Sequence, residues 1–388
     1  MIVGSRLLLL IVGFLAAAAP QAPYTRRLIY QPGLLLHGAA GRWLDPWTNW
    51  DGQWYLRIAR LGYERVAATA FFPLYPLLVR TFAAASGHAY VVVAIVSALA
   101  CYAAAMYLLY RLVVMDFGPR VAATTVAFAS LFPVSFFYQA TYSESVFLLT
   151  TVACVFFARR GQWAPAGVAG FLAALTRNTG LLVVLPMALL YLQQRGWRVR
   201  RVDAHVVWLA LAPAGLAVWM LYLSRRFGNA LAFSRAEIHW HRHLTAPWAT
   251  VARGVRAGIS GFTTVVHQGV SSPMISSRGH LVIPVALPNA LALLALLLAA
   301  LVLALTARRL GLPYAAYGVA ALVAPLFYPT EHQPLYSMPR FVLVIFPVFI
   351  GLALLTRRLT ATRVALLAAS TLLLVLLTAM FVRFEFVA

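Results

Sequence analysis

Long uninterrupted apolar runs constrain the fold of this chain more than any other feature of its sequence. Hydrophobic residues make up 63% of the 388 residues, and the mean hydropathy is +0.84. Several runs approach or exceed the roughly 18 apolar residues that an α-helix needs to cross a bilayer. The runs are continuous, whereas the strands of a membrane β-barrel alternate between apolar and polar positions. The sequence therefore predicts an all-α polytopic membrane protein with a single integral-membrane domain over residues 1–388.

Eleven apolar runs are candidates for membrane-spanning helices. They cover residues 5–23, 89–110, 120–138, 145–158, 162–176, 180–193, 205–224, 281–306, 313–328, 341–355 and 364–382. Several are short or contain proline, which membrane helices tolerate when they face the protein interior. Residues 24–88 and 225–280 are predicted to be long external loops, and the first of them to carry interfacial helices.

The placement of arginine predicts the orientation of these spans. All 31 basic residues are arginine, and short arginine-rich connections face the cytoplasm. Four such connections follow alternate spans, at residues 159–160, 195–201, 308–309 and 357–363. This assignment places Met1 in the cytoplasm and Ala388 outside. An alternative for the first segment is a signal peptide, with Arg6 before an apolar core and small residues up to Ala19.

The net charge of +22 does not indicate nucleic-acid binding. A nucleic-acid-binding protein would present a basic face on a soluble domain, and no part of the sequence predicts such a domain. Positive-inside topology and contact with anionic lipid explain the arginines instead. We therefore expect membrane lipids as partners and no nucleic acid.

Acidic residues are scarce enough to be weighed one by one. Six of the nine fall on the predicted external side: Asp45, Asp51, Glu64, Glu144, Glu237 and Glu331. Asp51 stands out because it lies among aromatic residues in WDGQWYLRIARLGY, residues 50–63. A helix over Trp50–Leu61 would carry Asp51 and Tyr55 on one face and lie in the membrane interface. Asp51 is then either a catalytic carboxylate or an acid that caps the helix, and Asp45 is a candidate second carboxylate.

Three further charged residues border apolar runs on the external side. Glu144 either lies in a helical first turn capped by Ser143 or Thr141, or binds a sugar hydroxyl. Arg177 and Arg340 are either anchors that reach the membrane interface or guanidinium groups that bind a phosphate. The residue pattern leaves both interpretations open.

The sequence contains a histidine-rich segment, EIHWHRH, with His239, His241 and His243. Their spacing places only two of the three on one helical face, and the sequence has no HExxH motif, so we expect a wet interfacial loop and no metal site. No clear second acid is adjacent to Asp51, so a metal site of paired acids is not predicted. A glycine-rich nucleotide loop is also absent from the sequence, so neither ATP nor a sugar nucleotide is indicated.

Five stretches together resemble the PIG-V-like mannosyltransferase family, and they extend over nearly the whole chain. They are WDGQWYLRIARLGY (50–63), FFPLYPLL (71–78), LFPVSFFYQATYSESVFLL (131–149), ALTRNTGLL (174–182) and, more loosely, PLYSMPRFVLVIFP (334–347). The first and third stretches are fairly specific, and the last is weaker. The eukaryotic member of the family is the second mannosyltransferase of GPI-anchor assembly. The lysine-free, alanine- and arginine-rich composition suggests a bacterial source. The resemblance is therefore not taken to imply a role in GPI-anchor assembly for this chain.

The resemblance implies a GT-C glycosyltransferase, a multi-span enzyme that takes its sugar from a lipid phosphate. It also implies that Asp51 is the catalytic carboxylate, and an inverting transfer does need one base for the acceptor proton. Arginines can stabilise the leaving phosphate without a divalent ion, so no cofactor is expected beyond the donor, a polyprenyl-phosphate sugar. The predicted substrate-binding residues are Trp50, Trp54, Tyr55, Asp45, Tyr142, Glu144, Arg177, Asn178 and Arg340.

We therefore expect an enzyme of the cell membrane that moves a hexose, by resemblance mannose, to an acceptor hydroxyl on the external face with inversion. The rival class is a transporter or flippase of lipid-linked saccharide. That class predicts charged residues at mid-membrane and inverted repeats, whereas the charges concentrate at span ends and no repeat is evident. A non-catalytic assembly protein is a third interpretation. Glycolipid, polysaccharide and protein acceptors all remain open.

Overall fold

The chain folds into a bundle of helices in the computed structural model. The structure describes residues 2–18, 35–36, 38–270, 274–275, 281–282 and 284–387. Its α-helices are α1 (Ile2–Ala18), α2 (Gly38–Leu44), α3 (Gly52–Leu61), α4 (Leu74–Ala85), α5 (Tyr90–Phe117), α6 (Pro119–Ser130), α7 (Glu144–Arg159), α8 (Trp163–Thr176), α9 (Val184–Gln194), α10 (Leu211–Phe227), α11 (Ala232–Ala236), α12 (Pro247–Gln268), α13 (Ala286–Leu310), α14 (Leu312–Val323), α15 (Met338–Leu343), α16 (Phe346–Leu355) and α17 (Thr360–Val382). Two short strands, β1 (Met274–Ile275) and β2 (Leu281–Val282), pair antiparallel.

Short 3₁₀ segments join or extend many of these helices. They are Asp45–Thr48, Val66–Ala70, Ser135–Tyr138, Asn178–Val183, Val199–Arg201, Ala204–Ala210, Glu237–Trp240 and Ala324–Phe327. Within the described part of the chain, four helical stretches are long and apolar enough to cross a membrane, by length and composition. These are Tyr90–Phe117, Ala204–Phe227, Ala286–Leu310 and Thr360–Val382. The predicted all-α membrane class is confirmed, and the number of eleven spans stays a prediction.

Two of the predicted spans are interrupted in the structure. Residues 120–138 do not form one helix, because α6 ends at Ser130 and the chain turns before the 3₁₀ segment Ser135–Tyr138. Residues 341–355 are divided between α15 and α16. Pro347 lies in the first turn of α16, where a missing amide hydrogen needs no partner, so proline favours a new helix start there. The prediction of one continuous helix at each place is wrong.

The two long segments predicted as external loops also contain helices. The first carries α2, α3 and α4, and α3 begins at Gly52 where the sequence predicted Trp50. The second carries α11 and the 22-residue helix α12, which the apolar pattern did not predict. Residues 19–34 and 37 lie outside the described residues, and so does the predicted span end at residue 23.

The first helix is tied to the interrupted helix α6 by a buried arginine. Arg6 donates from Nη1 to the carbonyl of Ser135 and from Nη2 to the carbonyl of Ser130, both at 2.8 Å. Its guanidinium also lies over the ring of Tyr102, 4.6 Å from the centroid. Where a helix is interrupted, backbone carbonyls lose their helical hydrogen-bond partners. Arg6 donates hydrogen bonds to two such carbonyls. This packing makes α1 part of the helical bundle, while the choice between a membrane-spanning helix and a signal peptide stays a prediction.

Polar contacts link residues that lie in or near three of the four connections that were predicted to face the cytoplasm. Asp116 accepts hydrogen bonds from Arg159 Nε at 2.8 Å and from Tyr314 Oη at 2.5 Å. Gln194 Nε2 donates to the carbonyl of Ala158 at 2.8 Å. These connections therefore meet at one end of the bundle, as the arginine pattern predicts. The side of the membrane that this end faces stays a prediction.

Candidate active site

The segment before α3 is anchored to the segment before α7, although the two are far apart in sequence. The amide of Thr141 donates to the carbonyl of Trp47 at 3.0 Å. The hydroxyl of Tyr142 donates to the carbonyl of Asn49 at 2.8 Å. Thr141 and Tyr142 belong to the motif over residues 131–149, and Trp47 and Asn49 directly precede the motif over residues 50–63. Backbone carbonyls that bond in this way hold the start of α3 in one position.

Asp51 precedes α3 but does not cap it. Its side chain makes no hydrogen bond to the helix start and instead accepts from Arg340 Nη1 at 2.7 Å. Trp50 has a φ of 60°, a left-handed conformation that bulky residues rarely adopt. A β-carbon on Gly52 would collide with the hydroxyl oxygen of Thr141. The capping interpretation of Asp51 is therefore wrong, and the local backbone directs this carboxylate towards a distant arginine.

Glu144 is completely buried and binds two arginines. Its Oε1 lies 2.7 Å from Arg177 Nη2 and 2.9 Å from both Nε and Nη2 of Arg340. Ser143 precedes α7 without capping it, and its hydroxyl lies 2.9 Å from that of Tyr55 and 3.2 Å from Arg177 Nε. Glu144 does lie in the first turn of α7, as expected. The expected cap is wrong, because the hydroxyls of Ser143 and Thr141 bind partners from other segments.

The electrostatic surroundings of these groups, at the ends of the predicted spans, set their protonation states. Burial alone would raise the pKa of the Glu144 carboxyl, but Arg177 and Arg340 outweigh it and hold that pKa below its ordinary value. Burial would lower the pKa of Arg340, whereas Glu144 and Asp51 raise it well above its ordinary value. Burial raises the pKa of the Tyr55 phenol to about 12. Glu144 and Arg340 are thus ionised, with the neutral phenol of Tyr55 nearby.

Asp51 faces a cavity of about 200 Å³. The charged residues that line this cavity are Asp51, Arg177, Glu237, Arg242 and Arg340. Aromatic and apolar side chains line much of the remainder, including Phe71, Phe72, Phe233, Trp240, Tyr336 and Phe341. A concave, largely apolar cavity with a few convergent polar groups is the usual form of a small-molecule site.

The wall of the cavity that Arg242 and Glu237 form was not predicted. Arg242 Nη1 lies 3.3 Å from Glu237 Oε2, and its guanidinium lies over the ring of Tyr336, 4.7 Å from the centroid. A backbone bridge pairs Arg242 with Thr330 and so joins this wall to the segment before α15. The sequence signal for this wall is the pair of charged residues within EIHWHRH, where three histidines are the more prominent feature.

A second, much smaller cavity of about 10 Å³ also reaches Asp51. Trp50, Tyr142 and Arg340 contribute to its lining, together with aromatic residues near the C-terminal end of the described chain. The indole of Trp50 stacks on Phe384, with 4.3 Å between ring centroids. Phe386, which lines the small cavity, meets the same indole edge-on, with 5.2 Å between ring centroids.

The predicted site residues fall into four groups in the structure. Asp51, Tyr55, Arg177, Asn178 and Arg340 line the main cavity, Trp50 and Tyr142 line the small one, and Glu144 lies behind both arginines. Asp45 and Trp54 line neither cavity. Asp45 accepts from the amide of Leu36 at 3.1 Å, and Trp54 packs on Phe71 and Trp240. The structure thus brings together most of the set, while the substrate contacts of each residue stay a prediction.

The histidine-rich segment forms part of a loop that packs against the segment before α15. The amide of His243 donates to the carbonyl of Pro329 at 3.3 Å, and His241 has a left-handed φ of 54°. Across the residues that the structure describes, no group of three or more histidine, cysteine, aspartate or glutamate side chains is placed to hold a metal ion.

Family and structural comparisons place the chain among known proteins. A family model described as mannosyltransferase (PIG-V) matches residues 1–194, half of the 388 residues. The chain therefore belongs to the PIG-V mannosyltransferase family, and the family resemblance of its motifs is confirmed. Asp51, Glu144 and Arg177 lie within the matched residues, whereas Arg340 and Arg242 lie beyond them.

GPI mannosyltransferase 2 of Drosophila pseudoobscura pseudoobscura is 28% identical over 178 residues. The match covers 41% of this chain and 39% of that protein, so it spans about two fifths of the length of the curated relative. ArnT of Cupriavidus metallidurans, solved with undecaprenyl phosphate, gives a TM-score of 0.48 at 14% identity over 95% of this chain and 62% of that one. The oligosaccharyltransferase of Archaeoglobus fulgidus, solved with zinc and sulfate, gives a TM-score of 0.45 at 13% identity. That match covers 96% of this chain and 53% of that one.

Proposed function

We propose that this protein transfers a hexose, mannose by family membership, from a polyprenyl-phosphate sugar to an acceptor hydroxyl at the external face of the cell membrane. The observation that carries the proposal is the placement of the Asp51 carboxylate. It lines the same cavity as Arg177, Arg242 and Arg340, so a proton acceptor and several cationic groups converge on one space. A base beside fixed positive charge is what transfer from a phosphate requires.

The reaction assigns a separate task to each kind of side chain. The acceptor hydroxyl loses its proton to Asp51 while its oxygen forms a bond to the anomeric carbon of the donor. The bond between that carbon and the phosphate oxygen breaks, and the electron pair leaves with the polyprenyl phosphate. Attack from the side opposite the phosphate inverts the anomeric centre. The arginines stabilise the charge on the departing phosphate without having to reorganise.

Arg242 adds a third arginine to the two that the sequence indicated. An arginine carries five N–H donors, and Arg242 uses Nη1 on Glu237 at 3.3 Å, which is longer than the bonds of Arg177 and Arg340 to Glu144. Among the described residues Arg242 makes this one ion pair, whereas Arg177 bonds through two nitrogens and Arg340 through three, so Arg242 retains more donors for a phosphate. We assign the phosphate to Arg242 and to the remaining donors of Arg177.

The test is an assay of membranes with labelled polyprenyl-phosphate mannose, comparing the wild type with Asp51→Asn. The asparagine keeps the size of the side chain and a hydrogen-bond acceptor for Arg340, but it cannot take a proton. We expect loss of transfer with normal expression and folding, because general-base catalysis contributes about 10²–10⁴-fold.

Glu64→Gln is the matched control for this assay. Glu64 is an exposed acid that pairs with Arg57 at 2.7 Å outside the cavity, and its neutral variant is expected to retain wild-type transfer. Full activity of a folded Asp51→Asn protein would remove Asp51 as the base. Absence of transfer in the wild type with this donor would refute the proposed donor class.

A further inference from the structure

Arg340 uses most of its guanidinium on two carboxylates. Nη1 bonds to Asp51 Oδ2 at 2.7 Å, and Nε and Nη2 each lie 2.9 Å from Glu144 Oε1. The group is also held between aromatic rings, with its central carbon 4.8 Å from the ring centroids of Phe137 and Tyr142. Such packing and bonding leave the guanidinium one position, directly between the two acids.

Two carboxylates that share one cation form the arrangement with which proteins commonly bind a divalent metal ion, because carboxylate oxygens are preferred ligands of Mg²⁺ and Mn²⁺. Here the shared cation is a side chain. A guanidinium does not lose its proton in proteins and its N–H groups match carboxylate geometry. It therefore provides a permanent positive charge where an exchangeable ion would otherwise be needed.

We propose that Arg340 is the resident cation of a carboxylate–guanidinium–carboxylate centre and takes the place of a divalent metal ion in the reaction. It holds Asp51 in position through Nη1 and is itself held by Glu144. The N–H groups that its three bonds leave over belong to Nη1 and Nη2, and Arg340 lines the cavity. The inference rests on the proposed glycosyl transfer for its catalytic part. The occupancy of the position between the acids can be tested without any substrate.

The first experiment removes metal ions from the wild-type protein. We expect labelled mannosyl transfer to be unchanged after treatment with EDTA and after addition of Mn²⁺. Loss of transfer on chelation, restored by the divalent ion, would overturn the proposal, since the cation would then be an exchangeable metal. This arm uses the unmodified protein and does not depend on the folding of any variant.

The second experiment empties the position with Arg340→Ala. Transfer is expected to fall by about 100-fold or more, because Asp51 loses the group that positions it and general-base catalysis contributes about 10²–10⁴-fold. Guanidinium ion at non-denaturing, millimolar concentration, or Mn²⁺, is expected to restore transfer by about tenfold or more, as one charge-assisted interaction would. Arg57→Ala removes a partly buried arginine outside the cavity. This control variant is expected to retain wild-type transfer, and neither cation is expected to change it.

A folded Arg340→Ala protein that neither cation rescues would overturn the proposal, because a purely structural arginine would give that result. Arg340→Gln, which keeps most of the side-chain length, replaces the alanine variant if the latter does not fold. A readout independent of activity is the melting temperature. Either cation should raise it in the variant and leave it unchanged in the wild type. If the wild type shows no transfer at all, the donor assignment fails, and the melting shifts still decide whether a cation is needed between the two acids.

Discussion

Replacement of Glu144 by glutamine tests the arrangement of the site independently of any substrate. The residue is fully buried and its carboxylate compensates Arg177 and Arg340. Glutamine has the same shape and keeps a carbonyl oxygen as acceptor, so the substitution creates no cavity and removes the charge. Removing one partner of a buried ion pair costs about 3–5 kcal/mol, because the remaining charge is left uncompensated. We expect Glu144→Gln to lower the free energy of unfolding by about this amount.

Glu64→Gln provides the matched comparison. Glu64 also binds an arginine at 2.7 Å, but its side chain is 43% exposed. An exposed pair contributes about 0–1 kcal/mol, so the same chemical change should have little effect there. Reversible unfolding in mixed micelles, followed by tryptophan fluorescence, measures both variants. Equal stability of the two variants would refute the claim that Glu144 holds the arginines in place.

The pH dependence of this difference has a definite sign. The folded-state pKa of Glu144 is depressed by the two arginines, whereas the unfolded value is about 4.3. Its stabilising contribution is therefore fully present above the unfolded pKa and is lost as the pH falls through the folded pKa. The difference between the wild type and Glu144→Gln should be constant between about pH 6 and pH 8 and should shrink only in acid below about pH 4. A difference that changes near neutral pH would contradict a depressed pKa.

Three further changes have expected outcomes. Gly52→Ala places a β-carbon against Thr141, so we expect the free energy of unfolding to fall by about 1–3 kcal/mol and transfer to be reduced. Wild-type stability together with wild-type transfer would refute the close contact. Arg6→Lys keeps the charge but not the fork that reaches Ser135, and thermal unfolding should show a lower melting temperature than the wild type. Arg242→Ala should raise the KM for the lipid-phosphate donor with little change in stability, whereas an unchanged KM would remove Arg242 from the donor site.

The sequence indicated the members of the charged cluster because charge is rare in this chain. Only nine acids occur among 388 residues, so each acid beside an apolar run needs a physical reason. Asp51, Glu144, Arg177 and Arg340 were singled out on these grounds and by family resemblance. The structure brings them within hydrogen-bonding distance of one another in a continuous chain of contacts. Rarity can identify such residues, but only tertiary structure shows which of them meet.

Local rules of helix capping gave the wrong partners for the same residues. Asp51 and Ser143 both precede helices and are residue types that commonly cap them, but neither side chain does so. An arginine is a stronger partner for a carboxylate than a backbone amide, because both groups carry a charge. Since Arg340 follows Asp51 by most of the chain length, no local pattern can predict that contact.

The helix boundaries show the same limit of local patterns. The apolar run over residues 120–138 continues across the end of α6, so hydropathy predicts no interruption there. The interruption is stabilised by Arg6, whose guanidinium binds the carbonyls of Ser130 and Ser135. Helix α12 was not predicted because its buried face lacks large apolar side chains. Its face towards the protein is formed by glycines at positions 254, 258 and 261, which pack closely on neighbouring residues and give no apolar signal.

The contacts of the charged groups bear on the rival interpretation of the chain as a transporter. A transporter of a charged substrate is expected to place ionisable residues at mid-membrane, where they exchange partners during transport. Of the charged groups that the structure describes, Asp51, Glu144 and their arginines form one connected cluster, and Asp116 with Arg159 belongs to a separate one at the end where the short arginine-rich connections meet. Arg6 is a buried charge inside a helix, and its hydrogen bonds go to serine carbonyls and hydroxyls. These acceptors are neutral, so Arg6 has no carboxylate partner among them that it could exchange during transport. We infer that its role is structural.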